Sequence, residues 1–336
     1  MPHPPMLPQW WNAPHRVLAL GDLELDSGEV MKDAFISFVT HGRPNPAGSN
    51  AVLLFTSIGT SHHRMDFLIG RGRAFDPERH FVVCVDALGN GLSSSPSNSR
   101  SQRGIDFPRF TIGDMTRTHC ALMRHLELDR LHAMCGASMG AMQALQTAEH
   151  LRGRVDRLVL LTPLSRATTW TKVVNELARQ ALFSDPAWNG REFISVPRKG
   201  WINWAGAIRV IASFTPATVE ELAEPSAEVL LQRLANGAIH SGMDPLDWIY
   251  QSWAYDGFDV RRALEDGTLA RRTLLFAPPL DLYNPTFEAQ WLARRLSNAE
   301  LLELPTRDGH RSASEADSQC ATFINDVLRA DEASSA

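Results

Sequence analysis

The segment Gly136–Gly140, with the sequence Gly-Ala-Ser-Met-Gly, places Ser138 in the pattern G-x-S-x-G. An apolar run, Leu131–Cys135, comes directly before it, and a segment with helical periodicity, Met139–His150, follows. A strand, a sharp turn and a helix in this order expose a serine hydroxyl at a strained position, where glycines permit close packing. The helix N-terminus favours developing negative charge. Ser138 is therefore predicted to be a nucleophile, and a helix-capping serine is the alternative.

A serine nucleophile needs a base, and His310 is the only histidine after residue 240. It follows the last strand-like run, in the loop Pro305–Arg311. A neutral imidazole has the right basicity to take a proton from a serine hydroxyl. The sequence therefore predicts that His310 is the general base. The alternative is a histidine in an exposed turn.

The base needs an acid that orients it, and two aspartates compete for this role. Asp281 lies just beyond the strand-like run Thr273–Ala277, whereas Asp308 lies two residues before His310. The position of Asp308 so close in sequence to His310 is explained more simply by a turn at Asp308-Gly309. We therefore predict Asp281 as the acid, with local helix capping as the alternative role for this residue.

Two backbone amides are predicted to stabilise an oxyanion. One is the amide of Met139, the residue after the nucleophile. The other is assigned to Ile58, in the loop 56–60 that follows the apolar run Ala51–Phe55. His62 and His63 come next along the chain. They either line the substrate pocket or are surface histidines of this loop.

The elements that must position these residues alternate along the chain. Two stretches with β-like alternation flank the turn at residues 26–28 and predict a hairpin. Short apolar runs indicate strands buried on both faces, and helical segments lie between several of them, which predicts a mostly parallel sheet. The further predicted strands are Phe81–Asp86, Leu131–Cys135, Leu158–Leu161, Thr273–Ala277 and Leu301–Leu304. The predicted helices between them are Ile112–Leu126 and Met139–His150.

This alternation stops near Arg166 and resumes near Arg272, and the region between has helical periodicity only. We therefore predict one core, from residues 1–165 and 263–336, with a helical cap inserted at 166–262. Six of the nine tryptophans fall within the cap. They either wall an apolar pocket above Ser138 or pack the small core of the cap itself.

Composition excludes several classes of protein. The chain has 336 residues, 44% of them hydrophobic and 21% charged, which is typical of a folded enzyme. A net charge of −5 argues against a nucleic-acid partner or an anionic membrane surface. No apolar window is long enough to span a membrane. The first residues lack the basic and apolar regions of a secretory signal.

The cysteines and the remaining motifs indicate neither a metal nor a redox centre. The four cysteines are far apart and form no C-x-x-C pair, so a reduced, cytoplasmic protein is expected. The sequence contains no HExxH or Walker A motif, and no strand-linked GxGxxG motif. We therefore expect no metal and no organic cofactor.

Several segments are similar to those of a known family. The chain resembles the homoserine O-acetyltransferase-like group of the α/β-hydrolase superfamily, over most of its length from about Leu18 onward. The resemblance implies an α/β-hydrolase fold, with a mostly parallel central sheet, helices on both faces and a helical cap. It also implies a triad of Ser138, Asp281 and His310. The segments that carry it are 67–81, 111–115, 136–145, 175–181 and 281–285.

The resemblance bears on substrate binding as well. In the transacetylases of this group, an arginine in an N-E-x-x-R stretch is expected to hold the substrate carboxylate, and Arg179 and Asn175 match that stretch. Those enzymes follow the catalytic histidine with an aspartate that receives the substrate ammonium. Here Arg311 stands in that place, where its charge would repel an ammonium. An exposed helical arginine is the alternative for Arg179.

These observations predict a serine carboxylesterase that cleaves small, acetyl-like esters. The alternative is an O-acyltransferase that moves an acetyl group from acetyl-CoA to an alcohol such as homoserine. A binding protein without catalytic activity is a third interpretation, which the complete Ser, His and Asp set disfavours. The resemblance alone suggests a homodimer formed through the cap. A small-molecule ester is the expected partner.

Overall fold

The computed structural model describes residues 6–8, 10–264, 268–314 and 318–335. Within these residues, eight strands form a single sheet in the spatial order β1-β2-β4-β3-β5-β6-β7-β8. The strands are β1 Arg16–Glu24, β2 Val30–His41, β3 Ala51–Phe55, β4 Phe81–Val85, β5 Leu131–Ala137, β6 Val155–Leu161, β7 Arg272–Ala277 and β8 Ala299–Glu303.

The strand directions confirm the predicted hairpin and the predicted parallel sheet. β1 pairs antiparallel with β2, and β2 pairs antiparallel with β4. All pairs from β4 through β8 are parallel, and β3 lies between β4 and β5. Because parallel strands end at the same edge, loops from β3, β5, β7 and β8 meet at one end of the sheet, where this fold binds ligands.

Helices cover both faces of the sheet, as the sequence predicts. One apolar core includes residues of α1 and α2, whereas the opposite core includes Cys320, Ile324 and Leu328 of the last helix. The nine α-helices of the described residues are α1 Ile112–His125, α2 Met139–His150, α3 Thr169–Phe183, α4 Arg198–Trp204, α5 Pro216–Glu221, α6 Ala227–His240, α7 Pro245–Asp256, α8 Thr286–Arg295 and α9 Ser318–Ser335.

The region predicted as a cap contains α3 to α7 and a π-helix at Ala205–Ser213. Its two ends lie side by side, because the Ala167 amide donates to the Phe258 carbonyl at 2.9 Å and the Val260 amide donates to the Ser165 carbonyl at 3.0 Å. The chain therefore leaves the sheet after β6 and returns close to the same place. The division into a core and a cap stays a prediction.

Two further features bear on the sequence-based expectations. All four cysteines are buried. Within the described ranges, no helix combines the length and the apolar character that a bilayer crossing requires.

Candidate active site

Ser138 lies on a strained turn between β5 and α2. Its backbone has φ 57° and ψ −119°, a conformation that few residues other than glycine adopt. Close packing on either side requires glycine, because a Cβ on Gly136 would lie 2.1 Å from the Gly140 carbonyl oxygen. A Cβ on Gly140 would lie 2.5 Å from the Phe55 carbonyl oxygen of β3. The chain therefore turns here as the G-x-S-x-G pattern predicts.

The structure brings Ser138, His310 and Asp281 into one hydrogen-bonded line. His310 Nε2 lies 2.9 Å from Ser138 Oγ, and His310 Nδ1 lies 2.8 Å from Asp281 Oδ2. A carboxylate only accepts, so Nδ1–H donates to Asp281 and Nε2 is left to accept the Ser138 proton. Ser138 is 3% exposed and Asp281 is 5% exposed, which shields both from bulk water.

The Asp281 carboxylate is held from both sides. Its Oδ1 atom accepts the backbone amides of Tyr283 at 2.9 Å and Asn284 at 2.7 Å. Its Oδ2 atom thereby points at His310. The rival Asp308 instead accepts the Thr218 hydroxyl at 3.0 Å and pairs with Arg311. The structure therefore places Asp281, and not Asp308, against the histidine.

The two amides predicted for the oxyanion lie on adjacent elements. Met139 begins α2, and within the described residues neither its amide nor that of Ile58 donates to a protein acceptor. The first amides of a helix have no partner inside the helix. Both N–H groups are therefore free to serve an oxyanion.

The loop that carries Ile58 is tied to α2 and to the cap. Gln143 Nε2 donates to the Thr56 carbonyl at 2.9 Å, and Ser57 Oγ donates to the Ala137 carbonyl at 2.7 Å. From the cap, Gln251 accepts the Gly59 amide at 2.7 Å. Sequence reasoning missed the positioning roles of Gln143 and Gln251, because helical periodicity does not show which polar residue faces a loop.

His62 is part of the anchor of this loop. Its ring lies 3.1 Å from Asp86, through Nδ1 and Oδ2, and both side chains are buried. Asp86 also accepts the Ser37 hydroxyl at 2.9 Å and an Asn90 amide hydrogen at 3.0 Å. His63 is engaged similarly, with Nδ1 at 2.7 Å from Asp66. These contacts give both histidines a structural role in the loop, and a substrate contact by His62 stays a prediction.

Arg179 and Asn175 are buried and already paired within the cap. Arg179 binds Asp256 at 2.8 Å and Glu176 at 2.8 Å. Asn175 donates to Asp256 at 2.8 Å and accepts the Tyr283 hydroxyl at 2.5 Å. A substrate carboxylate would have to compete with two protein carboxylates for this guanidinium, so the contacts do not support a substrate role for Arg179.

Arg311 follows His310 and turns toward Asp308. Its Nε atom donates to Asp308 Oδ2, and its guanidinium lies 4.9 Å from the centre of the Phe214 ring in the cap. The Arg311 side chain is 35% exposed. A cation therefore lies beside the candidate base, as the sequence indicates.

Tyr255, on α7, reaches the triad from the cap, and sequence reasoning missed it. Its hydroxyl donates to Asn284 Oδ1, and its side chain is fully buried. Burial and then the nearby Tyr283 raise the pKa of the Tyr255 hydroxyl well above its usual range, while the neighbouring Ser138 and Asn284 side chains oppose the shift. The cap thus supplies a neutral hydroxyl next to the candidate nucleophile. No motif marks this tyrosine, because its position depends on how α7 packs.

Three of the six cap tryptophans pack on one another. Trp204 makes edge-to-face contacts with Trp201 and Trp248, with ring centres 5.0 and 5.6 Å apart. All three side chains are almost fully buried, whereas Trp170 is 48% exposed. These contacts favour the alternative in which the tryptophans form the core of the cap.

Comparisons with known proteins agree with this fold. A family model described as the alpha/beta hydrolase fold matches residues 50–204. A homoserine O-acetyltransferase of Nostoc punctiforme is 28% identical over 85% of this chain and 88% of its own length. The chain has the α/β-hydrolase fold and is similar over most of its length to homoserine O-acetyltransferases. The central sheet and the helices on its two faces are those of this fold.

Two solved structures extend the comparison. An acetylester hydrolase from Corynebacterium glutamicum superposes with a TM-score of 0.87 at 25% identity, over 94% of this chain and 95% of its own. A homoserine O-acetyltransferase from Bacillus anthracis gives a TM-score of 0.82 at 23% identity, over 94% and 97% of the two chains, and this likeness bears on the fold alone. The fold is thus similar to that of a hydrolase and to that of a transferase.

Proposed function

We propose that the protein is a serine carboxylesterase that cleaves small, acetyl-like esters through an acyl-Ser138 intermediate. The line from Ser138 Oγ through His310 to Asp281, with contacts of 2.9 and 2.8 Å, carries this proposal. A serine hydroxyl is a weak nucleophile unless a neighbouring base removes its proton, and this arrangement provides that base.

In the proposed reaction, His310 Nε2 takes the Ser138 proton while Oγ attacks the ester carbonyl carbon. Asp281 holds the histidine in the required tautomer and stabilises its charged form. The Met139 and Ile58 amides bind the oxyanion as the carbonyl bond opens. The alcohol then leaves with the proton from His310. Water, activated by the same histidine, cleaves the acyl-enzyme and regenerates the Ser138 hydroxyl.

The residues around the triad support water as the acceptor. An amino acid such as homoserine carries an ammonium and a carboxylate. Arg311, paired with Asp308, stands beside His310 in the place of the expected aspartate, and Arg179 is already paired with Asp256 and Glu176. Neither charge of a zwitterionic acceptor finds a free partner of opposite sign at these residues.

The second candidate is an O-acyltransferase that uses acetyl-CoA. The sequence comparisons support this transferase better than the esterase. The named relatives found by sequence, including the one from Nostoc punctiforme, are homoserine O-acyltransferases. The acyl-Ser138 intermediate would be the same, and only the acceptor differs. Exclusion of water by the cap would direct the acyl group to an alcohol.

Two assays separate these candidates. We expect the purified protein to release p-nitrophenol from p-nitrophenyl acetate, and to release no extra CoA from acetyl-CoA when homoserine is added. Homoserine-dependent release of CoA together with negligible ester turnover would show that the transferase is the correct assignment.

The hydroxyl of Tyr255 gives a further prediction. Tyr255→Phe keeps the ring but removes the group that contacts Asn284 and Ser138, so we expect kcat for ester cleavage to fall about tenfold or less, as for one lost hydrogen bond. Tyr283→Phe is the matched control, since its hydroxyl binds Asn175 instead. Steady-state kinetics with equal unfolding temperatures check this, and an equal loss in both variants contradicts the assigned role.

The homodimer that the resemblance suggests stays a prediction. The outer face of α3 exposes Trp170, Val173 and Leu177, which are about half exposed and lie on one side of the helix. An exposed apolar stripe of this kind is compatible with an interface between two copies of the cap.

A further inference from the structure

Three side chains that can bind a metal meet at the end of the sheet opposite the candidate active site. His80 directly precedes β4, and His132 is the second residue of β5, whereas Ser138 follows the other end of β5. Glu332 reaches the two histidines from α9. The ester chemistry proposed above uses none of these residues.

The distances fit one metal ion. Glu332 Oε1 lies 3.2 Å from His80 Nε2 and 3.8 Å from His132 Nε2, and the two imidazole centres are 5.1 Å apart. Nitrogen and oxygen ligands about 2.0–2.1 Å from a tetrahedral zinc ion lie about 3.3 Å from one another. Small side-chain adjustments therefore bring all three atoms to coordination distance of a single ion.

The electrostatic setting also suits a metal. Burial lowers the pKa of both His80 and His132, although Glu332 opposes this shift at each, so the imidazoles are neutral and can donate an electron pair. The His80 side chain is 4% exposed, Glu332 is 12% exposed and His132 is 24% exposed. His80 is thus shielded from bulk solvent, whereas His132 is partly accessible to it.

Among the described residues, Arg79 competes with a metal for the Glu332 carboxylate. Its guanidinium binds Glu332 Oε1 at 2.6 Å, but its side chain is 64% exposed. An exposed arginine side chain can move into solvent at little cost in free energy, because a surface ion pair contributes little stability. In the described part of the chain, Glu332 Oε2 accepts no hydrogen bond and is therefore available as a second oxygen ligand.

A second histidine cluster, formed by His15, His62 and Asp86, has a different character. There the carboxylate already accepts the Ser37 hydroxyl, an Asn90 amide hydrogen and the His62 backbone amide. A metal would have to displace several buried hydrogen bonds. That cluster anchors the loop after β3, and it serves below as a control.

We propose that His80, His132 and Glu332 form a binding site for a divalent transition metal of the Zn²⁺ class. Imidazole and carboxylate ligands with one water are a common set for this ion. The bound ion fastens α9 to the amino ends of β4 and β5, and it stabilises the fold because only the folded chain assembles the site.

The test is a titration of chelator-treated protein with Zn²⁺ alone, by calorimetry and by thermal unfolding, with Mg²⁺ as the hard-ion comparison. We expect one Zn²⁺ per chain, a raised unfolding temperature and no response to Mg²⁺. His132→Ala and Glu332→Gln should each weaken Zn²⁺ binding by at least about tenfold. Removing a metal ligand lowers the affinity at least as much as removing a residue that hydrogen-bonds to a ligand.

His15→Ala is the matched control and should bind Zn²⁺ as the unchanged protein does. If the unchanged protein binds no Zn²⁺, or if His132→Ala and Glu332→Gln bind it equally well, the proposal is wrong. Loss of binding in His15→Ala alone would place the metal at the other cluster and overturn it too. His132 lies at the amino end of β5 and Glu332 lies on α9, and unfolding curves of His132→Ala and Glu332→Gln without metal show whether these variants fold.

Discussion

Ser138→Ala is expected to lower kcat for p-nitrophenyl acetate by about 10⁵- to 10⁶-fold, because the attacking oxygen is gone and the oxyanion amides alone cannot replace it. The unfolding temperature should change little. Ser138 Oγ lies 2.9 Å from His310 Nε2, and its side chain makes no hydrogen bond that caps α2. Steady-state kinetics and thermal unfolding of the same preparation check both expectations.

Ser241→Ala is the matched control for this substitution. Ser241 lies in the cap, at the end of α6, where its hydroxyl donates only to the Ala238 carbonyl at 2.7 Å. We expect its kcat to equal that of the unchanged protein. A Ser138→Ala protein that retains more than a small fraction of the activity contradicts acyl transfer through this serine.

Asp281→Asn is expected to lower kcat by about 10⁴-fold with the fold intact. The asparagine oxygen can still accept the Tyr283 and Asn284 amides, so its NH₂ group is left facing His310 Nδ1. That contact favours the tautomer in which Nε2 carries the hydrogen. His310 then cannot accept the Ser138 proton.

Asp308→Asn separates the two candidate acids. Asp308 binds Thr218 and Arg311 and does not face the imidazole, so this variant should lose about tenfold at most. Kinetics of the two asparagine variants measured side by side decide the matter. If Asp308→Asn lost the larger factor, the assignment of Asp281 would have to be withdrawn.

Much of the fold could be predicted from local patterns. The apolar runs at Ala51–Phe55 and Phe81–Asp86 became β3 and β4 because fully buried strands show no alternation. The order of the strands was not predictable in the same way. β4 lies between β2 and β3, and such placement depends on packing between segments distant in sequence.

The residues of the candidate site also differ in whether local sequence patterns predict them. Ser138 and Asp281 could be found from their places after β5 and β7, since the backbone there dictates where a side chain points. Tyr255 could not be found because its place depends on how α7 packs over the triad, and the Arg179–Asp256 pair could not be found because it depends on how α3 and α7 pack against each other. Helical periodicity reports burial and not partners.

The central claim is that Ser138 is the nucleophile that forms an acyl-enzyme. Labelling with a fluorophosphonate, followed by digestion and mass spectrometry, tests it most directly, since the reagent phosphonylates only an activated serine. We predict one adduct per chain on the peptide that contains Ser138, formed more slowly while excess ester substrate is present and absent in Ser138→Ala. An unlabelled protein, or an adduct on another residue that persists in Ser138→Ala, would contradict the account.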